Sequence, residues 1–220
     1  APWGVEQTAA ANDAHYALVA SKVTDAIALS TSSVCPGLRL HLDEREEVET
    51  KGKLETYQQT AIRAASITAT FILADRAAMA LDIDPEEFDV LAPRVWRQLD
   101  GVRHPVIQFA DKLANGAGFC TRLASRDSTG IAEVEQIILS VLDDPNEYPR
   151  KLFERPGHQS ACERACYRCL MRYRNQPYHA ILDWRLGLAF LRSLVTEGFQ
   201  CGLDGNIATF ELQSWRELLA

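Results

Sequence analysis

The chain has 220 residues, 47% hydrophobic and 24% charged, values that belong to a folded globular protein and exclude a disordered tail. No uninterrupted apolar run approaches the ~18 residues of a membrane span, so no bilayer partner is expected. With 23 basic against 30 acidic residues the formal net charge is −7, which argues against a free-standing, non-specific nucleic-acid binder but leaves room for a local basic face. The chain opens Ala1-Pro2-Trp3-Gly4, without Met or a secretory signal, and reads as the C-terminal part of a longer polypeptide or a processed chain.

Residues 15–30 hold two short apolar runs around Ser21-Lys22 and suit two strands or one interrupted strand. Leu38, Leu40 and Leu42 alternate with Arg39, His41 and Asp43, the period of a half-buried strand. The acidic stretch 43–55 reads as a solvated connection. Residues 54–81 lack Pro and, beyond position 52, Gly; Ile67, Phe71, Ala74, Ala78 and Leu81 line one face of a long central helix that Pro85 bounds. Strands are expected at 88–91 and 106–109, with Pro93 and Gly101 between them. Asn115-Gly116-Ala117-Gly118 predicts a tight turn before a short helix at 119–124. A further helix at 131–142 places Ile131, Val134, Ile138 and Leu142 on one face. Pro145, Pro149 and Pro156 mark 143–160 as loop, and a last helix covers 180–195. The class is mixed α/β: a small sheet packed by the long helix over 1–111, followed by a helical, metal-binding part over 112–220, in one unit.

Six cysteines are present, Cys35, Cys120, Cys162, Cys166, Cys169 and Cys201, and three of them fall within eight residues. A disulfide-laced secreted domain would be smaller and more evenly stapled, so the distribution points to a reducing, cytoplasmic compartment and a metal cluster. Cys166-x2-Cys169 has the knuckle spacing in which a tight turn brings two sulfurs to one ion, and Cys162 lies within reach of the same point. Three thiolates and a fourth protein ligand make the closed tetrahedral site of structural Zn2+. Cys120 is the first candidate for the fourth ligand and His158 the second, with His179 and Cys201 behind them. Competing readings are cysteines buried as small hydrophobes, an iron–sulfur C-x3-C-x2-C motif, and a disulfide with a spare thiol.

Residues 161–192 carry six arginines (Arg164, Arg168, Arg172, Arg174, Arg185 and Arg192) against Glu163 and Asp183, a local +4 interleaved with Tyr167, Tyr173 and Tyr178. Such a face suits phosphates on the guanidinium groups and unpaired bases on the rings. Arg164, Arg168, Arg172, Arg174 and Tyr173 are the contact candidates, with Arg185 and Asp183 assigned to a buried helix start. The opposing reading pairs the arginines with acidic groups of this chain or of a neighbour. The glycine turn could offer N–H groups to a phosphate or swing Cys120 to the metal. Asp111 with His104 is a weak acid–base or nuclease candidate, since no second carboxylate accompanies them.

The run from Cys166-Tyr-Arg-Cys169 through Tyr173, Asn175 and His179 to Leu182-Asp183-Trp184-Arg185-Leu-Gly187, with Asn115-Gly-Ala-Gly-Phe-Cys120 upstream, resembles the C-terminal zinc-binding domain of MrfA-like superfamily-two (DEAD/DEAH-box) helicases. That domain also occurs in the DISARM phage-defence helicase and its companion subunit. The resemblance implies a four-cysteine zinc site behind ATP-driven motor domains on DNA, with repair or antiviral defence as the setting. Ser160 stands where many members carry an additional cysteine, which favours Cys120 as a ligand. No phosphate-binding G-x-x-x-x-G-K-[ST] loop is present, so ATP hydrolysis would reside in motor domains outside this chain. Two functions follow as expectations: an accessory domain that guides single-stranded DNA for a helicase motor, or a zinc-built module that docks a partner subunit without touching DNA.

Overall fold

A stretch with neither Gly nor Pro, rich in Ala and long apolar side chains, forms helix α1 over Thr60–Leu81. It is the axis of a computed structural model that describes residues 21–219 except 36, 39, 41, 43–45, 51–52, 58–59, 98–102 and 159–160. Of the expected stripe, Ile67, Phe71, Ala74 and Ala78 are buried and Leu81 is half-buried. Every residue from 64 to 75 is buried, because a sheet covers one side of the helix and a second long helix the other. Ser66 and Thr70 fit there by donating their hydroxyls to the carbonyls of Ile62 and Ser66, both at 2.7 Å. Ala61–Leu81 is long and apolar enough by composition to cross a membrane, but most of it is buried inside the fold.

Strands β1 (Ala26–Ser30), β4 (Phe88–Arg97) and β5 (Arg103–Asp111) form an antiparallel sheet in the order β1-β5-β4. Ile27 and Val90 both pair with Phe109 on the central strand. β4 outruns its expected four residues because a register shift between Leu91 and Arg94 absorbs Pro93, which an edge strand tolerates. Residues 15–20 lie outside the described residues, as do Arg39, His41 and Asp43 of the second expected strand; Leu38 and Leu40 belong to no strand.

The acidic stretch is not the connection its charge suggested. Strands β2 (Glu46–Thr50) and β3 (Lys53–Tyr57) pair antiparallel as a hairpin, Glu46 opposite Tyr57 and Thr50 opposite Lys53. Val48, Thr50, Thr56 and Tyr57 supply β propensity that the glutamates mask, and β3 delays the start of α1 to Thr60.

Beyond the sheet come α2 (Phe119–Ala124), α3 (Glu133–Asp143), the single-turn α4 (Arg150–Phe153), a 3-10 segment at Tyr173–Tyr178, α5 (Trp184–Val195) and α6 (Phe210–Leu219). α5 starts four residues later than expected because Asp183 caps it, accepting from the N–H groups of Arg185 (3.0 Å) and Leu186 (3.3 Å). It lies close against α1 at Gly187, where a Cβ would stand 2.8 Å from Thr68 Cγ2. One apolar core runs through both parts of the chain, joining Ile27, Ile72, Phe109, Leu123, Trp184 and Leu191.

Candidate metal centre

Four side chains converge where the chain leaves the proline-rich loop. His158 ends a turn closed by its own N–H to the Arg155 carbonyl at 2.9 Å. Cys166 and Cys169 face one another across a tight turn: the Cys169 N–H donates to the Cys166 carbonyl (3.0 Å), and the Cys166 N–H donates back to the Cys169 sulfur (3.2 Å). Two anchors tie this knuckle to α5. The Trp184 N–H donates to the Arg164 carbonyl at 3.1 Å, and the Arg185 guanidinium donates to the Glu163 carbonyl while lying over the Trp184 ring.

The donor atoms of His158, Cys162, Cys166 and Cys169 all lie within 4.8 Å of one another. Cys162 and Cys169 sulfurs are 3.8 Å apart, Cys166 and Cys169 sulfurs 3.6 Å, and the Cys166 sulfur is 3.6 Å from His158 Nε2. An ion with bonds of about 2.3 Å to sulfur and about 2.0 Å to nitrogen sets tetrahedral edges of about 3.8 Å and about 3.5 Å. These three separations match those edges, the other pairs lie within 4.8 Å, and the sulfurs are too far apart for a disulfide. His158 Nδ1 is buried and without a hydrogen-bond partner among the described residues, while Nε2 faces the sulfurs. The imidazole packs on Phe153, which stacks on Trp184 at 4.5 Å, which in turn stacks on Phe210. An aromatic column thus joins the centre to α5 and α6.

The electrostatics suit a cation. The Cys169 thiol is pushed down to about 5, chiefly because the Cys162 thiol donates to it; burial opposes this, and the Cys166 N–H and His158 assist. The Cys162 thiol is correspondingly pushed up, by donating to Cys169 and by burial. A thiol held toward its anionic form is in the form that ligates a metal ion. Comparison with protein-family models, with curated proteins and with solved structures returns no match. The site therefore stands on its own geometry.

That geometry replaces the expected fourth ligand. Cys120 is buried on α2, away from the other sulfurs, with its thiol 3.7 Å from the Phe109 carbonyl. Burial, its hydrogen bond to Asp111 and the charge of that carboxylate push the Cys120 thiol up to about 12, so it stays a neutral donor. His158, not Cys120, stands with the three sulfurs. Its spacing, four residues before Cys162, was the signal for it, and no spacing rule ranks an imidazole against a distant thiol. His179 is held elsewhere, with Nε2 2.9 Å from Asn175 Oδ1 and 3.0 Å from the Arg172 carbonyl. Cys201 lies outside the group, in a small apolar groove with Leu186 and Phe199.

Asp111 has a different task from acid–base chemistry. It is fully buried, and its carboxylate accepts the N–H groups of Ala117 (2.8 Å), Phe119 (3.1 Å) and Cys120 (3.0 Å). The glycine turn is an anion cradle, and Asp111 fills it. Burial opposes ionisation, but the Cys120 thiol and the three N–H groups outweigh it and hold the carboxyl below its ordinary range. His104, the other half of that candidate pair, is buried 3.0 Å from the Thr31 hydroxyl.

The arginine face sorts into two sets. Arg164 and Arg168 are exposed and make no ion pair among the described residues. Tyr167, between them in sequence, is 75% exposed and meets the His179 ring edge-on, and Tyr173, at the start of the 3-10 segment, is 93% exposed. Arg172 is half-buried, reaching the carbonyls of Tyr167 (3.4 Å) and Met171 (3.1 Å). Arg174 leaves the contact candidates: it is ion-paired with buried Asp75, donates to the Pro85 carbonyl and lies over the Phe71 ring. Arg192 is likewise consumed, by Glu211 at 2.5 Å and Asp143 at 3.3 Å.

Proposed function

We propose that the protein is a zinc-stapled accessory domain of a DNA helicase, in a repair or antiviral setting, that guides single-stranded DNA for the motor. His158, Cys162, Cys166 and Cys169 hold the ion. Three sulfurs and one imidazole nitrogen within 4.8 Å of one another suit Zn2+, and four protein ligands leave no position for a reactive water, so the metal is structural. The observation that carries the DNA reading is the placement of Arg164, Tyr167, Arg168 and Tyr173. All four are exposed; Arg164, Tyr167 and Arg168 sit on the turn that the ion would make rigid, the two arginines without an ion pair among the described residues, and Tyr173 opens the 3-10 segment that follows.

The role requires salt-dependent binding. A single-stranded 12-mer is expected to bind the zinc-loaded chain with a log–log salt slope of about −0.7 for each phosphate contacted. Arg168→Ala should flatten that slope by about 0.7 and leave the melting temperature unchanged, because the side chain touches nothing that holds the fold. Failure to bind the 12-mer at low salt would contradict the role. The internal engagement of Arg174, Arg185 and Arg192 favours the second reading, a module that docks a helicase subunit without contacting DNA, and that null result would select it.

A further inference from the structure

Beside the knuckle, a cavity of about 480 Å³ opens between α1, the Pro85–Glu87 turn, the chain before α4 and the start of the 3-10 segment. Four kinds of group line it. Asp84 and Glu86 bring exposed carboxylates, which can only accept hydrogen bonds. Arg172 brings a guanidinium, and Tyr173 a ring that is 93% exposed. Tyr148 also lines the cavity, and its hydroxyl is buried with no partner among the described residues. Asp75 and Arg174 are already paired with one another there.

A ligand for this lining needs a flat apolar face, N–H donors and an anionic group together. A plain polyanion is repelled by Asp84 and Glu86. A simple cation is repelled by Arg172, and an apolar molecule leaves the Tyr148 hydroxyl as it is. A nucleotide whose base carries an exocyclic amino group has all three features, and 480 Å³ accommodates one.

We propose that this cavity receives an unstacked, amino-bearing base of single-stranded DNA, with its ring on Tyr173, its amino group on the acidic side chains, its edge on the Tyr148 hydroxyl and its phosphate toward Arg172. The inference rests on the strand-guiding role and gives it a base preference. Thymine, which has two carbonyls and no amino group, is the disfavoured base.

The test uses the zinc-loaded full chain with dC12, dT12 and deoxycytidine monophosphate, read by fluorescence anisotropy and calorimetry. dC12 should bind about tenfold more tightly than dT12. Tyr148→Phe, which removes only the unpartnered hydroxyl, should erase most of that preference without changing dT12 affinity or the melting temperature. Tyr173→Ala should weaken both oligomers about tenfold. Equal affinities for dC12 and dT12, unmoved by Tyr148→Phe but still salt-dependent, would overturn the base site and leave strand guiding standing. Monophosphate binding that Tyr148→Phe weakens, with no oligomer binding, would overturn strand guiding and keep the cavity as a free-nucleotide site. Binding of neither overturns both.

Discussion

Cys169→Ser is expected to bind no zinc and to lose the packing of the C-terminal half of the chain. Cys169 is fully buried and central to the group: its sulfur lies within 4 Å of both other sulfurs and accepts the Cys166 N–H. A structural zinc site of this kind contributes on the order of 10 kcal/mol of apparent folding free energy, comparable to the whole net stability of an ordinary domain. The loss spreads beyond the loop, since the knuckle carries the Arg164 and Glu163 carbonyls that anchor the start of α5 and His158 heads the aromatic column through Phe153, Trp184 and Phe210. Metal content by mass spectrometry and thermal melting by circular dichroism read the two consequences together. Wild-type protein should carry one zinc and lose its cooperative melt on chelation. Cys35→Ser should match wild type in both, and Cys120→Ala should keep its zinc. A wild-type melt unchanged by chelator would contradict the account.

Asp111→Ala is expected to cost about 4 kcal/mol, from three backbone N–H groups left without an acceptor at roughly 1–3 kcal/mol for each buried group fully stranded. Asp111→Asn should lie between, because an amide oxygen accepts but its NH2 meets the remaining donors head-on. The carboxyl is held below its ordinary range in the fold, so its stabilisation is complete above the unfolded value of about pH 4 and is lost as pH falls through the folded value. Urea melts of wild type should therefore weaken below about pH 4 by an increment that is missing in Asp111→Asn. A cost under 1 kcal/mol for Asp111→Ala at neutral pH would show that the turn is held by something else.

The helices were the legible part. A Pro- and Gly-free stretch with apolar periodicity announces α1, and the same logic places α2 and α3 almost to the residue. The hairpin β2–β3 was masked because charge is a poor guide to backbone pairing: glutamates on a strand look like a solvated loop until the residues between them are weighed. The short α6 was also unannounced, since Phe210, Leu212 and Ser214 give only a weak apolar face. At the site, the C-x3-C-x2-C spacing located three donors because they are local in sequence. The choice between His158 and Cys120 depends on where α2 sits against β5, and the Asp111 latch that fixes this is a long-range fact no spacing contains. The arginines teach the same lesson: Arg174 looks like its neighbours in sequence, but only the fold shows Asp75 beneath it.

X-ray absorption at the zinc edge of the purified protein tests the centre most directly. One ion bound by Cys162, Cys166, Cys169 and His158 predicts a first shell of three sulfurs at about 2.3 Å and one nitrogen at about 2.0 Å, with the outer-shell scattering of a single imidazole. A shell of four sulfurs would place Cys120 or Cys201 at the ion, and a protein free of zinc would remove the staple altogether; either result contradicts the centre described here.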